Sequence, residues 1–366
     1  NNPFQAILML QKLEETFPFD VEIPTQMGEI HSRFGDSLKA LNCYKIALDK
    51  CSKEEEFHLF LQISAECQNL EKPNQSIFWL KKLIKNHPEN IEGLYEIAMV
   101  YEGEGLLIEG EAFFNSFIEN NPYNHHAWFN LGNLYSFESK LEDALHAYEY
   151  SVVSFSEFSS GWFNKGSILA RLGRFEDAIE CFEATLELEG SAAATYCNIG
   201  ECHEETEDFG KAMEYYQKAL KHDEHYSDAI DGAASFLYLQ DKLEDALLYC
   251  ETGLKQNPQR PGLLHTYAEV CQALGFFKEA KKSYKKVIKV DSDNWEVFLD
   301  YSGMLWENGQ LEEAIEVIQS GISLQGKIPE LNYRTGSYLY MAGDKTNAFN
   351  HWNNAFLESP SKINQI

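Results

Sequence analysis

Residues 128–151 open with Trp128-Phe129-Asn130-Leu131-Gly132-Asn133-Leu134-Tyr135 and close with Ala144-Leu145-His146-Ala147-Tyr148-Glu149-Tyr150-Ser151, with a polar break between. Apolar residues at helical spacing on both sides of a break are the pattern of two helices joined by a turn. Gly132 is followed twelve residues later by Ala144, then by Tyr148 and Ser151. The same order returns at Gly166, Ala178, Phe182 and Thr185, and at Gly200, Ala212, Tyr216 and Ala219, each set 34 residues beyond the last. A fixed period of this length marks a repeat architecture, in which one unit cannot bury its apolar face alone but a stack can.

Sliding the frame both ways places unit starts at residues 21, 57, 91, 125, 159, 193, 227, 261, 295 and 329, with two extra residues around Lys50–Glu56. Residues 1–20 read as the second helix of a truncated unit, and 363–366 as a tail. The eighth position runs Gly28, Ser64, Ala98, Gly132, Gly166, Gly200, Ala234, Ala268, Ser302, Gly336, and the twentieth Ala40, Ser76, Gly110, Ala144, Ala178, Ala212, Ala246, Ala280, Ala314, Ala348. Both columns are small throughout, while the twenty-fourth, from Tyr44 to Trp352, is always apolar or aromatic. Small residues suit a close crossing of two backbones, and the large residue fills the gap beside it. Gly35, Gly105, Gly173, Gly275, Gly309 and Gly343 stand at the break, where a left-handed helix end suits glycine. Acidic pairs such as Glu142-Asp143 and Glu176-Asp177 open the second helix, and Pro18, Pro88, Pro122, Pro258 and Pro360 stand where it ends. The chain reads as all-α, an array of antiparallel helix pairs of about ten and a half units.

The sequence resembles the tetratricopeptide repeat family over residues 1–362, most clearly at Trp128 to Tyr135 with Ala144, Tyr148 and Ser151. The resemblance implies a right-handed superhelical solenoid, with first helices lining a concave face and second helices the convex back. Leu83 and Phe117 depart from the pattern, since a small residue is usual there. Near Lys345–Leu357, Asn347, Asn350, His351, Asn353 and Asn354 suggest a polar terminal cap. Ala6-Ile7-Leu8-Met9-Leu10 is by contrast apolar, and the chain begins with Asn1, so further sequence upstream is expected.

The 366 residues carry 30 Lys+Arg against 58 Asp+Glu, a formal charge of −28, with 44% hydrophobic and 13% aromatic residues. That apolar content argues against disorder, the absence of a long uncharged apolar run against a membrane span, and the charge against nucleic acid as a partner. Eight scattered cysteines, most of them at packing positions, read as small hydrophobes in a reducing compartment, giving a cytoplasmic expectation.

Catalytic motifs fail individually. Gly161 and Gly166 have phosphate-loop spacing, but Lys165 precedes the second glycine and both lie in a helix. His203-Glu204 lacks the second histidine of a zinc protease, since residue 207 is Glu. Cys197, Cys202 and His203, the pair His222 and His225, and Asp291-Ser292-Asp293 match no metal-site spacing. No enzyme, cofactor or metal is therefore expected.

In the family resembled, groove-facing positions of the first helix bring Asn130, Asn164 and Asn198 into one column, similar to the asparagine ladders of some peptide-binding solenoids, among them the O-linked N-acetylglucosamine transferases. An asparagine amide offers a donor and an acceptor to an extended peptide backbone. Asn133, Phe129, Phe163 and His126 would complete that peptide site; the alternative is asparagine merely tolerated at an exposed helical position. Groove positions also hold Glu92, Glu96, Glu201, Glu204, Asp228, Asp231, Glu269 and Asp300, with Arg33, Arg171 and Arg334 as basic exceptions. A concave surface of one sign attracts the other. Thr25, Leu61, Tyr95, Phe129 and Phe163 occupy the column where chaperone-binding relatives place a clamp lysine, which disfavours that activity. The reading is a non-enzymatic scaffold binding an extended, basic or neutral peptide segment of another protein. Two other readings are a recruiting or regulatory arm of a larger protein, and self-association through the apolar N-terminal end.

Overall fold

The computed structural model describes residues 3–53, 56–326 and 328–358. Expectations placed on Asn1, Pro360 and the tail 363–366 lie outside these residues. The described residues form helices and turns without a strand. They divide into two compact units, Asn1–Glu189 and Gly190–Ile366.

The first unit opens with α1 (Pro3–Thr16), followed by the pairs α2 (Glu22–Arg33) and α3 (Ser37–Lys50), α4 (Glu56–Asn69) and α5 (Pro73–Asn86), α6 (Ile91–Gly103) and α7 (Leu107–Asn120), α8 (His125–Phe137) and α9 (Leu141–Ser154), and α10 (Ser159–Arg171) and α11 (Phe175–Glu189). The second contains α12 (Ala193–Glu205) and α13 (Phe209–His222), α14 (Ser227–Leu239) and α15 (Leu243–Gln256), α16 (Pro261–Ala273) and α17 (Phe277–Val290), α18 (Glu296–Glu307) and α19 (Leu311–Gln325), and α20 (Pro329–Met341) and α21 (Lys345–Glu358). Within each unit, the two helices of a pair pack on each other, and the second helix of one pair packs on the first helix of the next.

The small columns are the crossing points. Every residue of the eighth and twentieth columns is buried. A side chain added at Gly132 would place its Cβ 2.7 Å from the Tyr148 ring, and one at Gly336 would meet Trp352 at 2.5 Å. Burying a ring of this size contributes roughly 1.5–3 kcal/mol, and a small neighbour admits it. Leu83, a departure from the pattern, is fully buried, and its branch lies against Gly93, where a Cβ would meet it at 2.7 Å. The large residue is thus matched by a small one in the next helix. Phe117 is half-buried and stacks on Phe113 at 6.4 Å.

The turn inside each pair is one motif used ten times. The fifteenth residue of each frame has positive φ: Gly35, Glu71, Gly105, Ser139, Gly173, Glu207, Asp241, Gly275, Gly309 and Gly343. The following amide donates to the carbonyl five residues back, as in Asp36 to His31, Lys140 to Tyr135 and Asp344 to Leu339. This left-handed closure satisfies carbonyls that the helix end would otherwise leave open.

The two ends differ from a simple cap. None of the residues of α1 is fully buried, and Phe4, Met9 and Phe17 are largely exposed. Asn347, Asn350, Asn353 and Asn354 of α21 do face solvent, but so do Phe349, Phe356 and Leu357. That last face is mixed rather than polar, because a helix of this composition cannot turn all its apolar residues onto one neighbour. No described helix is long and apolar enough to cross a membrane.

Left-handed backbone costs a side-chain-bearing residue about 1–2 kcal/mol, offset in part by the greater chain entropy of glycine. Ser139→Gly, at an exposed turn with φ of 59°, should therefore stabilise by about 0.5–1 kcal/mol, and Gly173→Ala, with φ of 74°, should destabilise by at least as much. Urea midpoints of the two variants moving in the same direction would refute this reading of the turn.

Candidate functional site

Within each unit, neighbouring first helices touch: α6 with α8, and α12, α14, α16, α18 and α20 in succession. Their side chains at corresponding positions therefore share one surface, and the candidate residues fall into two groups that are described separately.

In the first unit the asparagines are engaged or covered. Asn130 is 1% exposed, and among the described residues neither its Oδ1 nor its Nδ2 has a hydrogen-bond partner. Its expected place on an open ladder is corrected: it lies in the helix packing. Asn133 Oδ1 accepts from the Tyr148 hydroxyl at 2.7 Å and from Asn164 Nδ2 at 3.1 Å. Asn164 and Asn133 are thus fastened to each other across adjacent helices and remain half-buried at the surface. Phe129 is buried as well, ringed by Tyr95 at 6.0 Å, Tyr148 at 5.7 Å and Phe158 at 5.1 Å, so it packs between helices and offers a ligand little area. Phe163, half-buried, leans on Phe182 at 5.6 Å. His126 stands beside Phe158 and His125, and its Nδ1 lies 3.3 Å from the Tyr95 hydroxyl. Burial, helped by His125, lowers the His126 pKa to about 4, so the ring is neutral at physiological pH. Asn198, half-buried, lies in the second unit.

Tyr95 and Phe158 were not among the candidates. Phe158 sits in the turn before α10, outside the first-helix columns. The aromatic run of Tyr123, Phe155 and Phe158 around the turns was its only trace in the sequence.

The acidic positions are unequal. Glu92 is exposed and Glu96 half-buried; Glu92 borders a cleft of about 830 Å³ together with Asp20, Glu22 and Glu29. In the second unit, Arg260, in the turn before α16, pairs with Asp228 at 2.5 Å and with Asp231. Both carboxylates therefore have a cationic partner, which corrects their reading as free groove charge, while burial still raises the pKa of Asp231. Glu204 accepts the Tyr216 hydroxyl at 2.6 Å. Asp300 lies 2.9 Å from His265 Nε2. Burial would lower the His265 pKa, but the Asp300 hydrogen bond and the charge of Glu269 outweigh it and raise it.

Among the described residues no lysine or arginine pairs with Glu201 or Glu269, and the basic group near Glu269 is His265. Burial, then the neighbouring carboxylates Asp228 and Glu204, raises the pKa of Glu201. Burial also raises that of Glu269, with Asp300 and Glu296 adding to it while His265 opposes. Glu269, Asp300 and Glu307 line a cavity of about 340 Å³ whose one basic residue is Arg334. Donor atoms of His265, Glu269 and Asp300 lie within 4.8 Å of one another, a set of the type that binds divalent cations. Here the His265–Asp300 hydrogen bond engages two of the three residues.

All eight cysteines are free thiols, and seven are buried. Burial raises the Cys197 and Cys250 pKa values, the latter to about 12, so neither is a ready nucleophile.

Family models described as tetratricopeptide repeat match residues 158–225 and, in a second form, residues 129–184 and 272–327. No curated protein matches the chain. Among solved structures, the APC/C hetero-tetramer Cut9-Hcn1 is similar over 92% of this chain and 76% of that one, at 12% identity and a TM-score of 0.55. YrrB, described as a tetratricopeptide repeat protein with an unusual peptide-binding site, aligns with 51% of this chain and 96% of its own at 20% identity and a TM-score of 0.41. Pseudomonas aeruginosa pilF aligns with 57% and 95% at 17% identity and 0.49. These likenesses concern the fold.

His126 yields a pH prediction. Its folded pKa, about 4, lies below the ordinary 6.5, so the unfolded chain binds the proton more readily. The stability it contributes is complete above about 6.5 and is lost as pH falls toward 4. The His126 imidazole resonances should hold still from pH 8 to 5, and His126→Gln should flatten the loss of stability on acidification; resonances that titrate near neutrality would contradict the burial. Asn130 yields another. An unpartnered buried amide costs about 1–3 kcal/mol, so Asn130→Leu, close in volume, should stabilise by about 1 kcal/mol in urea titration, whereas a loss of stability would mean that the amide is satisfied in solution.

Proposed function

From the premise that this chain belongs to the tetratricopeptide repeat family, we propose that it is a protein–protein interaction scaffold that performs no chemistry of its own and binds an extended, basic or neutral segment of another protein along its acidic first-helix surfaces. The observation that carries this reading is the cavity formed by Glu269, Asp300 and Glu307, three carboxylates with Arg334 as the one basic side chain in its lining. Burial and the neighbouring carboxylates Asp300 and Glu296 raise the pKa of Glu269, and His265 offsets this only in part. An arginine or lysine from a partner would supply that compensation with charge-assisted hydrogen bonds, and the geometry of carboxylates around a cleft suits a guanidinium. Glu201 is in the same condition nearer the start of the second unit. In the first unit, Glu92 and Glu96 offer charge, while Asn133 and Asn164 offer half-buried amides for backbone contact. Asn130, 1% exposed, is not available for such contact.

Binding is measured with a labelled arginine-rich peptide and the full chain. Glu269→Gln combined with Glu307→Gln should weaken it about tenfold, and raising the salt from low to physiological concentration should weaken it further, as expected for partly exposed charge pairs. Asp228→Asn, a group already paired with Arg260, should change affinity by less. Affinity indifferent to salt and to the double substitution would remove the acidic-surface reading while leaving the scaffold assignment to other faces.

A further inference from the structure

Helix α17 carries Lys278, Lys281, Lys282, Lys285, Lys286 and Lys289 against the single acid Glu279, so one helix holds six of the 30 basic residues of a chain with net charge −28. Its buried side, Ala280, Ser283, Tyr284 and Val287, faces the core. The lysines therefore fall on its two flanks and outer surface.

The two flanks are chemically different. Toward α19, Lys281 and Lys285 grip one carboxylate, Glu313, at 2.6 and 3.5 Å, and Lys281 lies 3.4 Å from Gln310 as well. The pKa of Glu313 is lowered, first by its hydrogen bond to Lys281, which shows what such a lysine pair does to an acid placed between its members. Toward α15, Lys282 and Lys286 repeat the same spacing of four residues. There they are exposed, and among the described residues no carboxylate pairs with them or with Lys255 across the gap. In place of a Glu313 equivalent there is an open cleft of about 410 Å³, floored by Leu254, the buried Leu264 and the half-buried Tyr267. Glu251 and Glu279 stand on its rim.

We propose that this cleft between α15 and α17 is a second binding site, for a short acidic peptide segment that places one apolar or aromatic side chain on the Leu254–Leu264–Tyr267 floor and its flanking carboxylates on Lys255, Lys282 and Lys286. The ligand carboxylate takes, on this flank, the place that Glu313 fills on the other. Charge complementarity selects an acidic partner, and the apolar floor selects one with a hydrophobic residue amid its acids. Glu251 and Glu279 on the rim, and the negative charge of the rest of the chain, disfavour a long uniform polyanion. A membrane surface fits less well, because the apolar residues lie at the bottom of a cleft where a flat bilayer would not reach them. The site lies on a different surface from the acidic first-helix cavity and stands independently of it.

The test is fluorescence anisotropy of the full chain with a labelled peptide in which one phenylalanine is flanked on each side by three glutamates. Saturable binding is expected, weakened about tenfold, or 1.4 kcal/mol, by Lys282→Gln with Lys286→Gln, and much less by Lys278→Gln with Lys289→Gln, which removes the same charge elsewhere on α17. Replacing the peptide's phenylalanine by serine should also weaken it. Circular dichroism melting checks the fold, and Lys282→Arg with Lys286→Arg should retain affinity if charge at these positions is what matters. Equal losses from the two lysine pairs, indifference to the phenylalanine, or preferential binding to vesicles containing phosphatidylserine or to duplex DNA would each overturn the proposal.

Discussion

The contact on which the rest depends is a ring laid on a small residue. At the eighth position of the unit the first helix presents glycine, alanine or serine; at the twenty-fourth the second helix presents, most often, an aromatic ring. Tyr148 on Gly132, Phe182 on Gly166, Tyr216 on Gly200 and Trp352 on Gly336 lie so close that a Cβ could not be added without displacement. The contact sets the distance between paired helices, and with it the depth of every layer built on top. Where the ring is a tyrosine it does more. Its hydroxyl passes through the layer and emerges at the first-helix surface, where Tyr148 donates to Asn133, Tyr216 to Glu204 and Tyr284 to Gln272. Burial keeps these phenols protonated as donors. The residues that close the core thus also orient groups of the candidate site.

Much of this was legible from periodicity. The columns of small residues, the left-handed break and the helix pairing follow from what is the same in every unit, and a single sequence displays sameness directly. The turn shows both the reach and the limit of that evidence. Six glycines announced the left-handed position, while Glu71, Ser139, Glu207 and Asp241 adopt it as well without a sequence signal of their own. There the closing hydrogen bond to the carbonyl five residues back, together with packing on both sides, overrides a local preference worth about 1–2 kcal/mol. The division between Glu189 and Gly190 is a second case: the frame runs through it without insertion, yet α11 is one residue longer than most of its counterparts and Gly190 follows with positive φ.

The site was legible only in part, and for a different reason. Its decisive contacts join side chains about one period apart: Tyr95 with His126, Asn133 with Asn164, Asp228 with Arg260, His265 with Asp300 and Lys281 with Glu313. Each depends on what differs between consecutive units, and a column-by-column reading averages over such differences. Asn130 and Asn164 occupy the same column, but the first is buried and the second half-buried. Arg260 lay outside the columns altogether, in a turn, and neutralises two acids that the columns counted as groove charge.

The same reasoning changes what the net charge of −28 means. An overall excess of acid predicts long-range repulsion of polyanions, but recognition is set within a few ångströms, where each carboxylate is either met or left unmet. Glu313, between two lysines, is an acid already provided for; Glu269, beside Asp300 and with His265 as its basic neighbour, is met only in part. Conversely, the acidic chain holds in α17 a run of lysines of which only part finds internal partners. Two surfaces of opposite sign, each incompletely compensated by its own chain, are what a repeat scaffold can carry when successive units keep one backbone geometry and vary the outward residues. The stack provides the spacing, and the unmatched charges on each face determine which partner chemistry that face admits.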